Sequence, residues 1–584
     1  MNHKAVPTTG GLSSVLVLQQ LARKAAEPRS ILFISVAGIL AFLALYPSFF
    51  LFYGSLTDAP LGLPGKLTFS NYIQAYSDLH TYRLMLDSFL FAASASALSI
   101  LLALTLAWIT IRTNAPFRRL FELTAIIPNI LPPILISISW ALLLNPTAGL
   151  VNASIQWLFG TDAAPFNIYS MPGLIFAEGL ILTPLAFLII AATLKGMDPS
   201  LEESAKTLGS NELGVVRRIT FPLIRPAILA AATLNFVRAI ESFDTPAIIA
   251  MPARIEVLTT KIWREALGGY PPNHNLAATY GVGLLCIALV FVYFYRRFTS
   301  QVESFSTVTG KGFRPHQIDL GKWRYAASGV ALMLLIMMVV LPFIVLILIS
   351  ILPYYHVPTW ETWQTVTLKH YRYILESDRI YRAFANSLFL AIGSATLCMA
   401  LAAITAYITV RTKIAGRGIL EGLTFIPWAF PGTALAIGLL WAYVDFPIPV
   451  YGTIWIIMIA YITRFLPYGL RSVSSTIIQI HKELEEASSA CGAGFLATFW
   501  RILIPLMRPG LMAGWIILAT IYMREFSASI FLYSPGSEPL GPLLYFLYLD
   551  GLHGPMGALG LLISVISIML IAIAQRFSKW ESNK

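Results

Sequence analysis

Residues 201–226 read LEESAKTLGSNELGVVRRITFPLIRP, and residues 484–509 read LEEASSACGAGFLATFWRILIPLMRP. Eleven of these 26 positions are identical, 283 residues apart. Chance similarity between two apolar stretches would not keep two glutamates, a glycine, two arginines and two prolines in register. The chain therefore contains an internal duplication.

The duplication extends on the N-terminal side of both stretches. Residues 109–113 read ITIRT and residues 408–412 read ITVRT, which sets an offset of 299. The same offset relates Ser88 to Ser387, Pro128 to Pro427 and Pro132 to Pro431. It falls to 283 farther along because the first copy has a longer loop around 145–171. Each copy is therefore about half of the chain.

The composition excludes a soluble protein. Of the 584 residues, 57% are hydrophobic and 12% are charged, against about 45–50% and about 25% in soluble chains. The mean hydropathy is +0.72. A soluble enzyme, a disordered chain and a disulfide scaffold are all inconsistent with these values. The sequence predicts an all-α polytopic membrane protein.

About 20 apolar residues are needed to cross a bilayer as a helix. Twelve windows qualify, which predicts about 12 transmembrane helices arranged as two parallel six-helix repeats. The windows are 31–53, 88–110, 121–144, 172–194, 227–250, 276–295, 327–352, 386–410, 419–444, 453–470, 510–532 and 556–575. The predicted segments are an N-terminal segment 1–30, a first repeat 31–296 with a loop 198–226, a linker 297–326, a second repeat 327–575 with a loop 481–509, and a tail 576–584.

The net charge of +11 is explained by membrane orientation. If both termini are cytoplasmic, 28 of the 40 Lys and Arg residues lie in cytoplasmic segments, nine lie outside and three lie within spans. This asymmetry is the signature of the positive-inside rule. A nucleic-acid partner is not needed to explain the basic charge.

Each repeated loop lies between the fourth and fifth spans of its half. The pattern predicts short helices at 201–208 and 484–491 that present glutamate pairs to the cytoplasm. A glycine then allows a sharp turn, and a proline leads into the next span. An ordinary amphipathic connector is the alternative, but the double occurrence favours a functional element. The residues concerned are Glu202, Glu203, Gly209 and Pro222 in the first loop, and Glu485, Glu486, Gly492 and Pro505 in the second.

This Glu-(Glu/Ala)-(Ser/Ala)-x4-Gly-x9-Ile-x2-Pro pattern resembles the EAA loop of permease subunits of binding-protein-dependent ABC importers, which have the MetI-like fold. In that family the loop helix docks on a cytoplasmic ATPase, so the resemblance implies that these eight residues couple to it. The copies depart from the pattern at Ser204 and Ser488, which leaves the acidic face and the turn intact.

A phosphate-binding loop of the form G-x-x-x-x-G-K-[ST] is missing from the sequence. The candidates Gly65-Lys66-Leu67 and Gly310-Lys311-Gly312 both fail at the residue after lysine. The chain is therefore expected to be a transport subunit and not an enzyme, with no cofactor, metal or catalytic residue of its own. ATP and Mg would be used by a separate ATPase, in two copies to match the two loops.

Two further stretches resemble the ferric-iron importer permeases: PAIIAMPARIEVLTTKIW (246–263) and MREFSASIFLYSP (523–535). The resemblance implies a permease in the bacterial inner membrane that receives ferric iron from a periplasmic substrate-binding protein. Permeases for phosphonates, phosphorylated sugars, thiamine and polyamines share these features and remain alternatives. An ion-gradient-driven secondary transporter is the alternative of another class, because twelve spans in two parallel halves also suit it.

Ionisable residues within predicted spans are functional candidates, because each costs roughly 2.5–3.5 kcal/mol at a helix centre. Arg238 and Glu241 are three residues apart, so they are expected to share a helix face and pair. These groups either line the translocation pathway or form structural ion pairs, and the sequence does not decide between the two. The set is Arg238, Glu241, Asp244, Arg464, Arg524 and Glu525.

Overall fold

The computed structural model describes residues 28–129, 131–305, 317–356 and 361–582. Within these ranges the chain is helical and forms no strand beyond two isolated bridges. The predicted N-terminal segment, linker and tail lie partly outside the described residues, which exclude 1–27, 306–316 and 583–584.

The first half contains eight principal helices. Three shorter helices, Ser70–Ser77, Leu150–Phe159 and Leu258–Trp263, lie in its connections. The principal helices are α1 (Pro28–Leu56), α2 (Leu79–Arg112), α3 (Arg118–Asn129), α4 (Pro133–Leu143), α5 (Met171–Gly196), α6 (Pro199–Thr207), α7 (Glu212–Ile240) and α8 (His274–Phe305).

The second half repeats this order. Its shorter helices are Lys369–Glu376, Ser529–Leu532 and Leu540–Leu549. Its principal helices are α9 (Trp323–Ile351), α10 (Asp378–Arg411), α11 (Arg417–Ala429), α12 (Gly432–Tyr443), α13 (Ile454–Gln479), α14 (Glu483–Ala490), α15 (Phe495–Met523) and α16 (His553–Ser582). Helices α5 and α13 correspond residue for residue at the offset of 283, so the duplication seen in the sequence is a structural one.

Within the described residues, nine helices are long and apolar enough to cross a membrane, or up to 11 if each bent pair counts as one span. The tenth predicted window, 453–470, lies in α13, which is not among these 11. Arg464 and Arg471 lower the mean hydropathy of α13, although it packs between α10 and α15 as α5 packs between α2 and α7.

Two predicted spans are bent into pairs of helices. Helices α3 and α4 meet at an angle of 101°, and α11 and α12 meet at 107°. Pro132 and Pro431 precede the second helix of each pair in an extended conformation, with ψ of 132° and 139°. A proline lacks the N–H group that would continue the first helix. Both breaks therefore occur at prolines that the repeat places in equivalent positions.

The fifth span of each half begins earlier and ends earlier than predicted. Helix α7 begins at Glu212 and not near 227, and α15 begins at Phe495 and not near 510. Pro222 and Pro505 therefore lie inside continuous helices, and the prediction that they precede the span is wrong. Each follows a five-residue π-helical turn, Val216–Thr220 or Phe499–Leu503. Such a wide turn accommodates the ring within the helix.

The first helix of each half packs on the other half. Helix α1 packs against α11 and α12, and α9 packs against α3 and α4. The outer face of α1 carries exposed apolar side chains such as Phe49, which is 62% exposed. That exposure is expected where a helix faces lipid. The exchange of α1 and α9 joins the two halves along a common seam.

The segment before α9 is fixed to the end of α2. The Ile318 N–H donates to the Arg112 carbonyl over 2.8 Å, and the Asn114 N–H donates to the Ile318 carbonyl over 3.3 Å. The Asn114 amide nitrogen also donates to a carboxylate oxygen of Asp319 over 2.5 Å. These bonds hold residues 318–320 against the end of the bundle that carries α6 and α14, which we name the loop end.

Candidate functional site

Helices α6 and α14 form two equivalent short helices at the loop end. Asp198 caps α6 by accepting the Ser200 N–H over 2.9 Å. Gly209 and Gly492 follow the two helices with φ of +88° and +81°, a conformation that glycine adopts at little cost. The prediction of short helices ending in glycine turns is confirmed. Whether these elements couple to a partner stays a prediction.

The glutamate pairs divide between two environments. Glu203 and Glu486 are exposed, as the sequence predicted. Glu202 is only 4% exposed, because its carboxylate pairs with Arg112 and accepts the Thr220 hydroxyl over 2.7 Å. The expectation that it faces the cytoplasm is wrong. Its equivalent, Glu485, is partly buried beside Arg411, the equivalent of Arg112.

A chamber of about 950 Å³ lies between the two halves. All six ionisable residues that the sequence placed within spans line this chamber: Arg238, Glu241, Asp244, Arg464, Arg524 and Glu525. Its wall along α15 extends from Pro509 to Ile521, and at about 1.5 Å per residue this stretch is about 18 Å long. The structure therefore brings scattered charges of both halves into one cavity.

The side chain of Arg464 bridges the two halves inside the chamber. Its Nη2 lies 3.5 Å from the Glu241 carboxylate in the first half, and its Nη1 lies 3.3 Å from the Glu525 carboxylate in the second. The predicted pair between Arg238 and Glu241 is not found among the described ion pairs. Helix α7 ends at Ile240. Glu241 therefore lies past the end of the helix and does not share a helix face with Arg238.

Two further polar contacts cross between the halves. Arg524 donates to the Asn129 carbonyl and, over 3.4 Å, to the Leu131 carbonyl. These carbonyls lie at the bend between α3 and α4, where the broken helix leaves them without helical partners. The Ser527 hydroxyl donates to the Asp244 carboxylate over 2.8 Å. Arg524 of the second half thus stabilises the break in the first, and Ser527 adds a separate contact between the halves.

An aromatic layer lies beside the chamber, which Phe526 lines. Phe243 and Phe526 are 0% and 1% exposed, and their rings stack with centroids 5.6 Å apart. Phe531 and Trp263 lie against Phe243 in the same layer, at 5.6 and 6.4 Å. Phe243 and Phe526 are equivalent in the repeat, as are Asp244 and Ser527. A pseudo-two-fold axis must therefore pass between these pairs.

Glu178 is a chamber residue that the sequence reasoning missed. It lies within α5, is 2% exposed and accepts the Ser242 hydroxyl over 3.2 Å. The signal was present, because Glu178 is a lone carboxylate inside a predicted span and such residues are costly in a membrane. Together the chamber contains four carboxylates and three guanidinium groups.

In both halves the segment that follows the stacked phenylalanine, Phe243 or Phe526, is fixed to a long helix, α2 or α10, in the same way. The Leu258 N–H donates to the Ser88 hydroxyl oxygen over 2.8 Å, and the Leu540 N–H donates to the Ser387 hydroxyl oxygen over 2.7 Å. Each serine was already related to the other by the repeat. These contacts lie near the end of the bundle opposite the loop end, which we name the far end.

Two fused helical repeats around a charged chamber, with a matching short helix at one end of each repeat, define a polytopic membrane permease. The family model described as the binding-protein-dependent transport system inner membrane component matches residues 97–304 and 398–582. These two ranges cover more than half of the chain and correspond to the two repeats. The chain belongs to this family and is an inner-membrane ABC importer permease.

Curated relatives include ferric transport permeases. The ferric transport system permease protein FbpB of Actinobacillus pleuropneumoniae is 27% identical over 506 residues, which are 85% of this chain and 71% of that protein. The putative ferric transport system permease protein FbpB 1 of Haemophilus influenzae is 26% identical over 499 residues, 85% of this chain and 76% of that protein. The spermidine/putrescine transport system permease protein PotC of Escherichia coli is 28% identical over 183 residues, 31% of this chain and 69% of that protein.

Among solved structures, the chain is similar to a bacterial alginate ABC transporter in complex with an alginate pentasaccharide-bound periplasmic protein. The TM-score is 0.36 at 18% sequence identity, and the match covers 51% of this chain and 96% of that chain.

Proposed function

We propose that this chain forms the translocation pathway of an ATP-driven importer for ferric iron delivered by a periplasmic binding protein. The observation that carries the proposal is a charged chamber lined by both halves, with the stacked rings of Phe243 and Phe526 beside it, in a permease with two equivalent loop helices. Both termini are cytoplasmic in this proposal, so the loop end faces the cytoplasm and the far end faces the periplasm.

Two copies of a cytoplasmic ATPase attach at α6 and α14. Each loop presents the same exposed residues at equivalent positions: Glu203 on α6 and Leu213 at the start of α7 in the first half, Glu486 on α14 and Leu496 at the start of α15 in the second. We name these four residues the docking surface. Because the two surfaces share an acidic and an apolar group, one kind of ATPase groove fits both.

The transport cycle alternates the access of the chamber between the two sides of the membrane. Binding of ATP and Mg closes the ATPase dimer, brings α6 and α14 together and separates the halves at the aromatic layer. The binding protein then releases its cargo into the chamber, and ATP hydrolysis restores the closed layer. No covalent chemistry takes place in this chain.

The chamber suits a charged cargo. Its four carboxylates attract cations by charge, although within the described residues they do not come together as a metal-binding group; they are Glu178, Glu241, Asp244 and Glu525. The relatives that match 85% of this chain are named as ferric transport permeases, which favours iron among cationic cargoes. A polyamine is the main alternative, since it is also cationic and a spermidine/putrescine permease is a partial relative. Phosphonates, phosphorylated sugars and thiamine remain further alternatives.

The test is uptake into proteoliposomes that contain the full chain with its ATPase and its binding protein. Radioactive ferric iron, putrescine, a phosphonate, a sugar phosphate and thiamine are supplied in turn, with and without ATP. We expect ATP-dependent accumulation of iron alone. Accumulation of another solute would show that this solute, and not iron, is the cargo. Uptake that persists without ATP or the ATPase would favour an ion-gradient-driven secondary transporter.

The docking surface has its own test. Glu203→Ala with Glu486→Ala should weaken co-purification of the ATPase and lower uptake, while membrane insertion is unchanged. Glu483→Ala is the matched control, because Glu483 is exposed on α14 and has no glutamate at the equivalent position in α6. Unchanged co-purification in the double variant would remove these residues from the coupling contact.

A further inference from the structure

One long helix in each half contacts both the loop helix and the segment that follows the aromatic layer. Helix α2 does so in the first half and α10 in the second. At the loop end the contact is an ion pair, Arg112 with Glu202 or Arg411 with Glu485. Toward the far end it is a hydrogen bond to a serine, Ser88 or Ser387. All four contacts are related by the repeat.

The ion pair at the loop end joins α2 to α6. The Arg112 and Glu202 side chains are only 3% and 5% exposed. Separating a buried pair leaves an uncompensated charge, which is strongly unfavourable. Glu202 also accepts the Thr220 hydroxyl from α7 over 2.7 Å. The pair therefore holds α6, α2 and α7 together.

The second half has the same joint with a different third partner. Arg411 Nε lies 3.3 Å from the Glu485 carboxylate, and Arg411 Nη2 donates to the Ile477 carbonyl at the end of α13 over 2.8 Å. The side chains are 4% and 19% exposed. Helix α14 is thus tied to α10 as α6 is tied to α2.

The joint toward the far end connects the long helix to the aromatic layer. Leu258 lies 15 residues after Phe243, and Leu540 lies 14 residues after Phe526. Their N–H groups bond the serine oxygens over 2.8 and 2.7 Å. A second tie lies beside each bond, from His80 to Glu256 over 3.0 Å in the first half and from Arg379 to Glu538 over 3.0 Å in the second.

The stretch between the two joints is helical throughout. Ser88 and Arg112 are 24 residues apart, as are Ser387 and Arg411, which at 1.5 Å per residue is about 36 Å in each half. The helix is α-helical in both halves, apart from the π-helical turn Trp108–Arg112 at the end of α2. A continuous hydrogen-bonded helix of this length transmits an axial displacement with little loss.

We propose that α2 and α10 are the elements that transmit loop-helix movement to the aromatic layer. This inference rests on the proposed function and deepens it. Arg112, Glu202, Arg411 and Glu485 act as positioning residues at one end, and Ser88 and Ser387 act at the other. Glu202 and Glu485 are therefore internal links, distinct from the exposed Glu203 and Glu486 that form the docking surface.

The experiment breaks each end separately in the full chain with its ATPase and binding protein. One variant carries Glu202→Gln and Glu485→Gln, and the other carries Ser88→Ala and Ser387→Ala. The matched control carries Ser94→Ala and Ser394→Ala, which lie on the same two helices. Three quantities are measured for each variant. They are co-purification of the ATPase, ATP hydrolysis with and without loaded binding protein, and uptake of radioactive ferric iron per ATP hydrolysed.

We expect both variants to retain the ATPase and its basal hydrolysis. Stimulation by loaded binding protein and uptake per ATP should fall by at least about fivefold, the lower range of typical coupling between sites. The control should match the unmodified chain. A charge exchange, Arg112→Glu with Glu202→Arg and Arg411→Glu with Glu485→Arg, should restore part of the stimulation that the glutamine variant loses.

Normal stimulation and uptake in either variant would overturn the inference. Loss of ATPase co-purification in the glutamine variant would also overturn it, because Glu202 and Glu485 would then belong to the docking contact. Failure of the proposed cargo is distinguishable. If the unmodified chain takes up no iron while its ATPase still responds to loaded binding protein, the cargo is wrong and the stimulation ratio still tests the transmission.

Discussion

Phe243 and Phe526 occupy equivalent positions in the two repeats, and their rings stack on each other across the seam with planes 18° apart. Each residue follows the end of the fifth span of its half, α7 or α15. The two rings closely follow in sequence the carboxylates that Arg464 bridges, because Phe243 lies two residues after Glu241 and Phe526 directly after Glu525. An apolar contact and an ionic contact therefore join the two halves beside the chamber, each with contributions from both halves.

Linking the aromatic layer should block uptake. In a chain whose native cysteines are replaced, Phe243→Cys with Phe526→Cys is joined by a short bifunctional thiol reagent. We expect iron uptake to be lost, because the halves can no longer separate, and to return when a cleavable linker is cut. Uptake in proteoliposomes measures both states.

The control for this linkage lies within one half. Tyr461 and Tyr522 stack with centroids 5.2 Å apart, and both belong to the second half. Linking Tyr461→Cys to Tyr522→Cys should leave uptake largely intact. If the pair at 243 and 526 can be linked without effect on uptake, the layer does not open during transport.

Removing the central arginine should destabilise the chain. Arg464→Met leaves Glu241 and Glu525 without the cation between them, and breaking a buried pair costs about 3–5 kcal/mol. We expect a lower midpoint of thermal unfolding in detergent. Adding Glu241→Gln and Glu525→Gln should recover most of this loss, because neutral groups need no counterion. A triple variant as unstable as Arg464→Met would show that the arginine acts through packing instead.

The glycine turns after the loop helices give a conformational prediction. Alanine at Gly209 or Gly492 must adopt a φ near +88° or +81°, which costs an L-residue about 1–2 kcal/mol. Each substitution should therefore lower ATPase co-purification by misplacing the docking surface. Gly196→Ala is the control, since a Cβ there meets nothing within 4 Å and its φ is not positive. Equal behaviour of the three variants would contradict the prediction.

The contact of residues 318–320 with α2 should weaken in acid. The backbone N–H of Gly321, and then the Asn114 amide, lower the pKa of Asp319 from its ordinary value of 3.8. The folded state thus favours the carboxylate, so the stabilisation is complete above the ordinary pKa and is lost as the pH falls through the lowered value. Hydrogen exchange of the Ile318 amide should quicken in that range, and Asp319→Asn should abolish the pH dependence. An unchanged profile in that variant would exclude the carboxylate as the cause.

Much of this architecture could be predicted from the sequence because each local pattern occurs in both copies of the repeat, so that two independent stretches support the same prediction. The loop helices, the glycine turns and the bends at Pro132 and Pro431 all follow from local chemistry that occurs in both copies. The convergence of the chamber charges was foreseen only as a possibility, since their costs in a membrane mark them individually and their meeting depends on how the halves pack.

The remaining features depend on tertiary contacts that no local pattern encodes. The sequence placed Arg238 and Glu241 on one helix face, whereas α7 ends at Ile240 and Glu241 turns to Arg464. It treated Glu202 and Glu203 as one acidic pair, whereas Arg112, 90 residues away, buries the first of them. Long-range partners of this kind are decided by packing of distant helices.

The exchange of first helices has a consequence for biosynthesis. Helix α1 is the first of the described helices to leave the ribosome, but the surface formed by α11 and α12 is made only after residue 443 has been added. Until then α1 has α8 as its partner from its own half, and even that helix is completed about 250 residues later. The final position of α1 is therefore reached late in synthesis, and a ribosome that stalls within the second half leaves an inserted chain whose first helix is still unseated.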